Sequence, residues 1–287
     1  MSWTNYHGHC NYCDGHGKIE DYIVKAIEYN MPVIGISSHA PVPFDCFWTM
    51  KEDQLQNYDN EVMQLQEKYK HKITVLKSLE IDYLPGYGGF NKAVLDHIDL
   101  DYRIGSIHFI DRFKNGNSWG IDGSFDEFKE GLREIFNNDI QLAVKRFYEL
   151  TRGLIKNQQF EILGHFDKIK MHNVVEPLFD ESEDWYIKEV ESVLSLVAEK
   201  GIIVEINTKS YEKNGLLFPG PEIFPLLKKY NIPVTINSDA HIPEKLQSSY
   251  TEVALMLIEA GFTTLREYKD GVWCDVAFNK DGLQWID

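Results

Sequence analysis

His7 and His9 stand one residue apart, and Asp239 and His241 repeat that spacing near the other end of the chain. Alternate residues of a β-strand point to the same side, so each pair can turn both donors toward one ion. Imidazole and carboxylate together suit zinc, iron or manganese better than calcium. Between the two pairs lie further donors of the same kind: His39, Glu80, His108 and His165. A lone His-x-His is weak evidence of a metal site. The weight comes from where the whole set falls.

The donors close short apolar runs that read as β-strands over 4–9, 33–38, 73–81, 102–108, 160–165, 202–207 and 234–237. Between them, helical spacing of apolar residues predicts helices over 18–29, 51–69, 125–137, 139–156, 185–200 and 249–260. Strands separated by helices pair in parallel, and right-handed crossovers wind such units into a barrel or an open sheet. Donor residues end or directly follow every strand except 202–207, which ends in Asn207. In a β/α barrel those carboxyl ends form one rim, where active sites are built. So many donors exceed the needs of one tetrahedral ion, and two or three divalent ions (zinc, iron or manganese) are expected. His71, His97 and His172 have no such placement and read as ordinary surface or core histidines. Cys10-x-x-Cys13 has no second cysteine pair to complete a zinc knuckle, so both are read as small loop residues. No repeat or linker interrupts the pattern, which predicts a single catalytic domain over 1–287.

The 287 residues carry 29 basic and 45 acidic side chains, a formal charge of −16. Nucleic-acid binding proteins normally show a basic footprint, and anionic membranes attract basic surfaces, so neither partner is expected. The first residues, Met1-Ser2-Trp3-Thr4-Asn5-Tyr6-His7, lack the basic and apolar regions of a secretory signal, and no apolar run is long enough to span a bilayer. Four cysteines do not make a disulfide framework in a chain this long. The expectation is a soluble, reduced, cytoplasmic protein. Bound divalent ions would make one site locally cationic within this acidic chain, which favours a small anionic metabolite.

The segments His7-Gly8-His9 with Asp14-Gly15, Ile36-Ser37-Ser38-His39-Ala40-Pro41, Glu80, Gly105-Ser106-Ile107-His108-Phe109, Gly164-His165-Phe166-Asp167 and Ser238-Asp239-Ala240-His241 occur in this order along most of the chain. Together they resemble the PHP (polymerase and histidinol phosphatase) superfamily. The Gly-Ser-Ile-His-Phe, Leu-Gly-His-Phe-Asp and Glu205-Ile206-Asn207-Thr208 segments look most like its histidinol-phosphatase branch. The resemblance implies an α/β fold, a distorted seven-stranded (β/α) TIM-like barrel with a trinuclear metal centre at the carboxyl-terminal rim. It further implies that His7, His9, Glu80 and Asp239 hold one ion and that Glu80 bridges to a second, completed by His108 and His165. His39 and His241 would hold the third with a residue from the loop after the first strand. Both Asp14 and His16 are available there, and His16 is placed first. Ser38 stands where many members carry an Asp before the histidine.

The implied function is that of a metal-dependent phosphomonoesterase converting L-histidinol phosphate and water to L-histidinol and phosphate. Divalent ions would acidify the attacking water and clamp phosphate oxygens. The competing readings are a phosphatase or phosphoesterase acting on another small phosphate ester, a nucleotide or phosphotyrosine. A nuclease would call for a basic groove, and a decayed metal-binding module for missing donors; this sequence has neither. Glu80, Asp239 and His241 are the expected catalytic residues. Arg112, on the segment leaving the strand of His108, is expected to contact substrate, as is Arg152, which sits where the resemblance places an arginine. Asn207 and Lys209, at the end of the strand without a donor, complete that group. A monomer or small homo-oligomer is expected.

Overall fold

The computed structural model describes residues 2–87, 89, 90, 95 and 98–285; His97 lies outside them. Twelve strands form in chain order: β1 Val33–Ile36, β2 Thr74–Lys77, β3 Glu80–Asp82, β4 Ile104–Ser106, β5 Phe109–Arg112, β6 Ser118–Gly120, β7 Ile162–Leu163, β8 Ile203–Asn207, β9 Val234–Asn237, β10 Thr264–Lys269, β11 Val272–Asn279 and β12 Gly282–Leu283. The main helices are α1 Ile19–Glu28, α2 Leu55–Tyr69, α3 Phe125–Phe136, α4 Ile140–Asn157 and α5 Asp184–Lys200. Two short helices follow, α6 Tyr211–Asn214 and α7 Phe224–Lys229, and then α8 Tyr250–Glu259.

The expected α/β alternation holds. A five-stranded sheet runs in the order β3-β4-β7-β8-β9 with every pairing parallel, and β1 pairs with β2, also in parallel. The longer helices lay apolar stripes on this framework. In α1 the stripe is Ile19, Tyr22, Ile23 and Ala26; in α5 it is Tyr186, Val190, Val193, Leu194 and Val197. Helix α3 starts at a capping box, in which Glu127 N–H donates to the Ser124 hydroxyl and Ser124 N–H donates to the Glu127 carboxylate.

Two of the expected strands take another form. Residues 4–9 make isolated parallel bridges, Asn5 with Ile34 and Gly8 with Ala240, and not a continuous strand. Side chains supply the bonds a regular ladder would have made: Tyr6 N–H donates to the Asn237 amide oxygen at 2.8 Å, and Gly8 N–H to the Ser37 hydroxyl at 3.0 Å. The segment 73–81 breaks into β2 and β3 at Ser78. There the Tyr58 hydroxyl donates to the carbonyls of Ile36 and Ser78, a role a neighbouring strand would otherwise fill.

The amino-terminal ends of the strands are closed by an apolar layer of Tyr6, Val33, Tyr102, Ile104, Ile162 and Ile203. The antiparallel sheet β10-β11-β12, absent from the sequence reading, backs this layer with Trp273, whose ring lies 4.9 Å from that of Tyr6. Beneath it Glu267 is buried, accepting hydrogen bonds from the hydroxyls of Thr4 and Tyr6, with no ion-pair partner among the described residues. Burial raises its pKa to about 7. The folded state therefore holds the Glu267 proton more tightly than the unfolded chain. The associated stability is full below the ordinary carboxyl range and is lost as pH rises through 7, about 3 kcal/mol in all. Denaturant midpoints measured from pH 4.5 to 8 should fall more steeply for the wild type than for Glu267→Gln; identical slopes would contradict this.

Candidate metal centre

At the opposite, carboxyl-terminal end of the strands, side chains from four other segments converge on Glu80. Its Oε2 lies 3.1 Å from His7 Nε2, 3.5 Å from His9 Nε2 and 2.9 Å from His39 Nδ1. Its Oε1 lies 3.6 Å from His108 Nε2, 2.8 Å from His165 Nε2 and 2.7 Å from the Ser106 hydroxyl. Asp239 Oδ1 closes the other side, 3.0 Å from His9 Nε2 and 3.8 Å from His7 Nε2. Asp239 takes a left-handed backbone with φ of 47°, uncommon for a residue other than glycine and frequent at functional sites.

Three groups of potential ligand atoms lie within mutual distances of 4.8 Å: His9, Asp14, His39 and His241; His7, His9 and Asp239; and His39, Glu80 and His108. His9 and His39 each belong to two groups, and His165 joins through Glu80. The Nε2 atoms of His7 and His9, Nδ1 of His39 and of His165, Asp14 Oδ1 and Glu80 Oε2 are buried with no hydrogen-bond partner. Buried polar atoms are normally satisfied, and an unpartnered one calls for an explanation. Nitrogen and carboxylate donors that face one another in this way are a fitting ligand set for divalent cations.

The far sides of the His7, His108 and His241 rings are each fixed by a second partner, as is usual for metal-binding histidines. His7 Nδ1 donates to Glu205 Oε1 at 2.6 Å, His108 Nδ1 to Asp82 Oδ1 at 3.1 Å, and His241 Nδ1 to the Asp239 carbonyl at 2.9 Å. His9 Nδ1 instead meets the Cys13 sulfur at 3.6 Å. Burial works to lower the pKa of His7, but the carboxylates of Glu205, Asp239 and Glu80 outweigh it and hold it well above the ordinary value. His9 goes the other way, lowered by burial and by neighbouring His39 and His241. Burial would raise Glu80, yet His7, His39 and His108 keep its pKa well below the carboxylate range. Burial pushes the Cys10 and Cys13 thiols up to about 11 and about 12, so both stay protonated.

Three of the donors, Asp14, His39 and Asp239, line a cavity of about 850 Å³. Lys168, a buried lysine, lines it and reaches Asp122 Oδ2 at 3.0 Å, and that oxygen is 3.9 Å from His108 Nε2. Burial opposes the charge on Lys168, but Asp122, Asp239 and Glu80 raise its pKa well above normal, so it remains an ammonium. Lys209 lines the same cavity, its Nζ 3.3 Å from Asp239 Oδ1 and 3.1 Å from His241 Nε2.

Most sequence-predicted residues come together here: His7, His9, His39, Glu80, His108, His165, Asp239 and His241, with Lys209 beside them. Three are placed differently. His16 is exposed and outside the donor groups, and the loop residue that faces His39 and His241 is Asp14, its carboxylate 3.8 and 3.3 Å away. The loop doubles back so tightly that a Cβ on Gly15 would lie 2.1 Å from the His9 carbonyl oxygen, which turns Asp14 inward and carries His16 past the site. Arg112 is carried off by the β5–β6 hairpin and lies over the Tyr87 ring at 4.3 Å, in a separate cleft. Arg152 ties α4 to α5, donating to Glu189 at 2.6 Å and Ser192 at 2.8 Å on the outside of the fold. Asn207 is buried and braces the carboxylates, donating to Glu205 at 3.0 Å and Asp239 at 3.2 Å. His172 is a core residue hydrogen-bonded to the Ile121 carbonyl, and His71 is exposed.

Sequence reasoning missed Asp82, Asp122, Lys168 and Glu205 as parts of the site, and Cys13 as a partner of His9. Asp82 and Glu205 were within reach of the alternation rule, since Glu80-x-Asp82 and Glu205-x-Asn207 repeat the spacing of His7-x-His9. Lys168 follows His165 in a short turn of helix, which strand-end reasoning does not cover.

Comparison with known proteins gives a consistent picture. Residues 5–209 match the model of the PHP domain, and residues 225–262 that of the PHP-associated family. The probable histidinol-phosphatase of Deinococcus radiodurans is 26% identical over 264 residues, covering 90% of this chain and 94% of that protein. The histidinol-phosphatase of Bacillus subtilis is 24% identical, covering 82% and 92%. Among solved structures, the histidinol phosphate phosphatase of Lactococcus lactis, complexed with zinc, L-histidinol and phosphate, superposes with a TM-score of 0.71 at 17% identity and covers 99% of both chains. A putative histidinol phosphatase from Listeria monocytogenes gives 0.76 at 20% identity, covering 87% and 99%. At these identities the structural likenesses establish the α/β fold alone. Among the described residues no helix is long and apolar enough to cross a membrane.

Proposed function

This chain belongs to the PHP domain family, and on that premise we propose that it is a metal-dependent phosphomonoesterase whose substrate is L-histidinol phosphate. The observation that carries the reading is the convergence of five histidines on the two oxygens of Glu80, beside a cavity lined by His39, Asp239 and, among the described residues, two lysines. The names of the curated relatives, and the zinc, histidinol and phosphate in the Lactococcus lactis protein, support the substrate.

His7, His9 and Asp239 would hold one ion, Glu80, His108 and His165 a second, and His39, His241 and Asp14 a third, with Glu80 shared. Divalent ions there lower the pKa of a bound water and neutralise phosphate charge. Lys168 and Lys209 then fix the remaining phosphate oxygens by charge-assisted hydrogen bonds. Burial favours protonation of Asp239, but Lys209 and His7 keep it ionised, as a carboxylate that is to hold an ion must be. Lys209, whose ammonium lies beside Asp239, would supply the proton that the departing alkoxide needs.

We read the circuit of bridges and strands, from residues 5–8 through β1, β2, β3, β4, β7, β8 and β9 back to Gly8, as a distorted seven-stranded barrel in one catalytic unit spanning 1–287. The function is tested by phosphate release from L-histidinol phosphate, a phosphotyrosine peptide and a nucleoside monophosphate. The expected kcat/KM favours histidinol phosphate by about 100-fold or more, since a site built for a substrate's polar groups rejects analogues lacking them. Equal rates on all three, or preference for either alternative, would move the activity to another small phosphate ester.

A further inference from the structure

The cavity changes character from base to mouth, and we infer that its mouth recognises the leaving group as a flat imidazole ring bearing an ammonium arm, through Phe47, Trp48, Asp45 and Glu130. This rests on the histidinol-phosphate reading and names the residues that meet the part of the substrate that is not phosphate. The cationic side chains among the described lining residues, Lys168 and Lys209, are both at the base, paired with Asp122 and Asp239. An aromatic run leads outward from there. The Trp48 ring lies 4.6 Å from that of His39 and 5.2 Å from that of His108, and stacks on Phe109 at 5.3 Å with an interplanar angle of 11°. Phe44 meets the other side of Phe109 edge-on at 5.0 Å.

Phe47 follows at the rim, 93% exposed, the most exposed of the large apolar side chains. Asp45 and Glu130 line the same mouth, exposed, and neither has an ion-pair partner among the described residues. Trp119 completes the wall, buried, with an indole N–H that lacks a hydrogen-bond partner. Aromatic faces attract a flat cation, and unpaired carboxylates attract an ammonium while repelling phosphate. The polarity therefore orients a ligand one way only, with its anionic end on the metal donors, its ring against the aromatic side chains Phe47 and Trp48 and its ammonium toward Asp45 and Glu130.

The test uses the metal-loaded full-length protein and the exposed variants Phe47→Ala and Glu130→Gln. The ratio of kcat/KM for L-histidinol phosphate to that for glycerol 3-phosphate should fall about tenfold in each, mainly through KM for the former. Val272→Ala, on the distant β10–β11 hairpin, should leave the ratio as it is. Histamine, which carries the imidazole and ammonium without phosphate, should inhibit glycerol 3-phosphate hydrolysis competitively in the wild type and more weakly in both variants. Wild-type protein inactive on histidinol phosphate but inhibited by histamine in this variant-dependent way would overturn the assigned substrate and leave the recognition site standing. An unchanged ratio, or histamine inhibition indifferent to both substitutions, overturns the recognition site itself.

Discussion

Glu80→Gln lowers kcat/KM for phosphate release by about a thousandfold and reduces the metal content of the purified protein. The reason is geometric. One carboxylate stands within 3.6 Å of five histidine nitrogens, and no other acidic group reaches all of them. The amide keeps the shape but removes the charge that lets two ions approach each other. It also places an N–H where a donor lone pair is needed. Loss of metal-based charge stabilisation is worth several kcal/mol, and about 4 kcal/mol corresponds to the stated factor. Retained metal together with wild-type rates would show that Glu80 is a packing residue.

Lys168→Met is the second large effect, an expected loss of about 100-fold in kcat/KM. Lys168 is the buried ammonium of the cavity, held charged by Asp122. Methionine preserves the stem and its packing, so the loss isolates the charge. Removing a single donor from a preorganised oxyanion site costs on this scale. Both KM and kcat should worsen, because an ammonium that touches phosphate acts on the bound ester and on its transition state. Steady-state kinetics with unchanged metal content would support this role. A variant that loses metal instead would make Lys168 a brace for Asp122 and His108.

The donors were legible because strand ends concentrate them and alternation fixes their side. His7, His9, Asp239 and His241 needed only that rule. Arginine placement was not legible, since whether Arg112 and Arg152 face the cavity depends on where the β5–β6 hairpin turns and how α4 meets α5, which are tertiary matters. Asp14 against His16 turned on one tight contact at Gly15. In the fold, parallel alternation was readable from periodicity, whereas the first segment lost its strand character to hydrogen bonds that its backbone N–H groups donate to Asn237 and Ser37. The β10–β11 hairpin carried an available signal. Asp270-Gly271, both with positive φ, form the turn that Asp-Gly favours between alternating strands.

The most direct test joins elemental analysis of the purified protein with phosphate release from L-histidinol phosphate, before and after chelation. The predicted result is two or three divalent ions per chain, activity lost when they are removed, and activity restored by zinc, manganese or iron. Fewer than two ions per chain, together with undiminished phosphate release after complete chelation, would contradict a metal-dependent phosphatase built around Glu80.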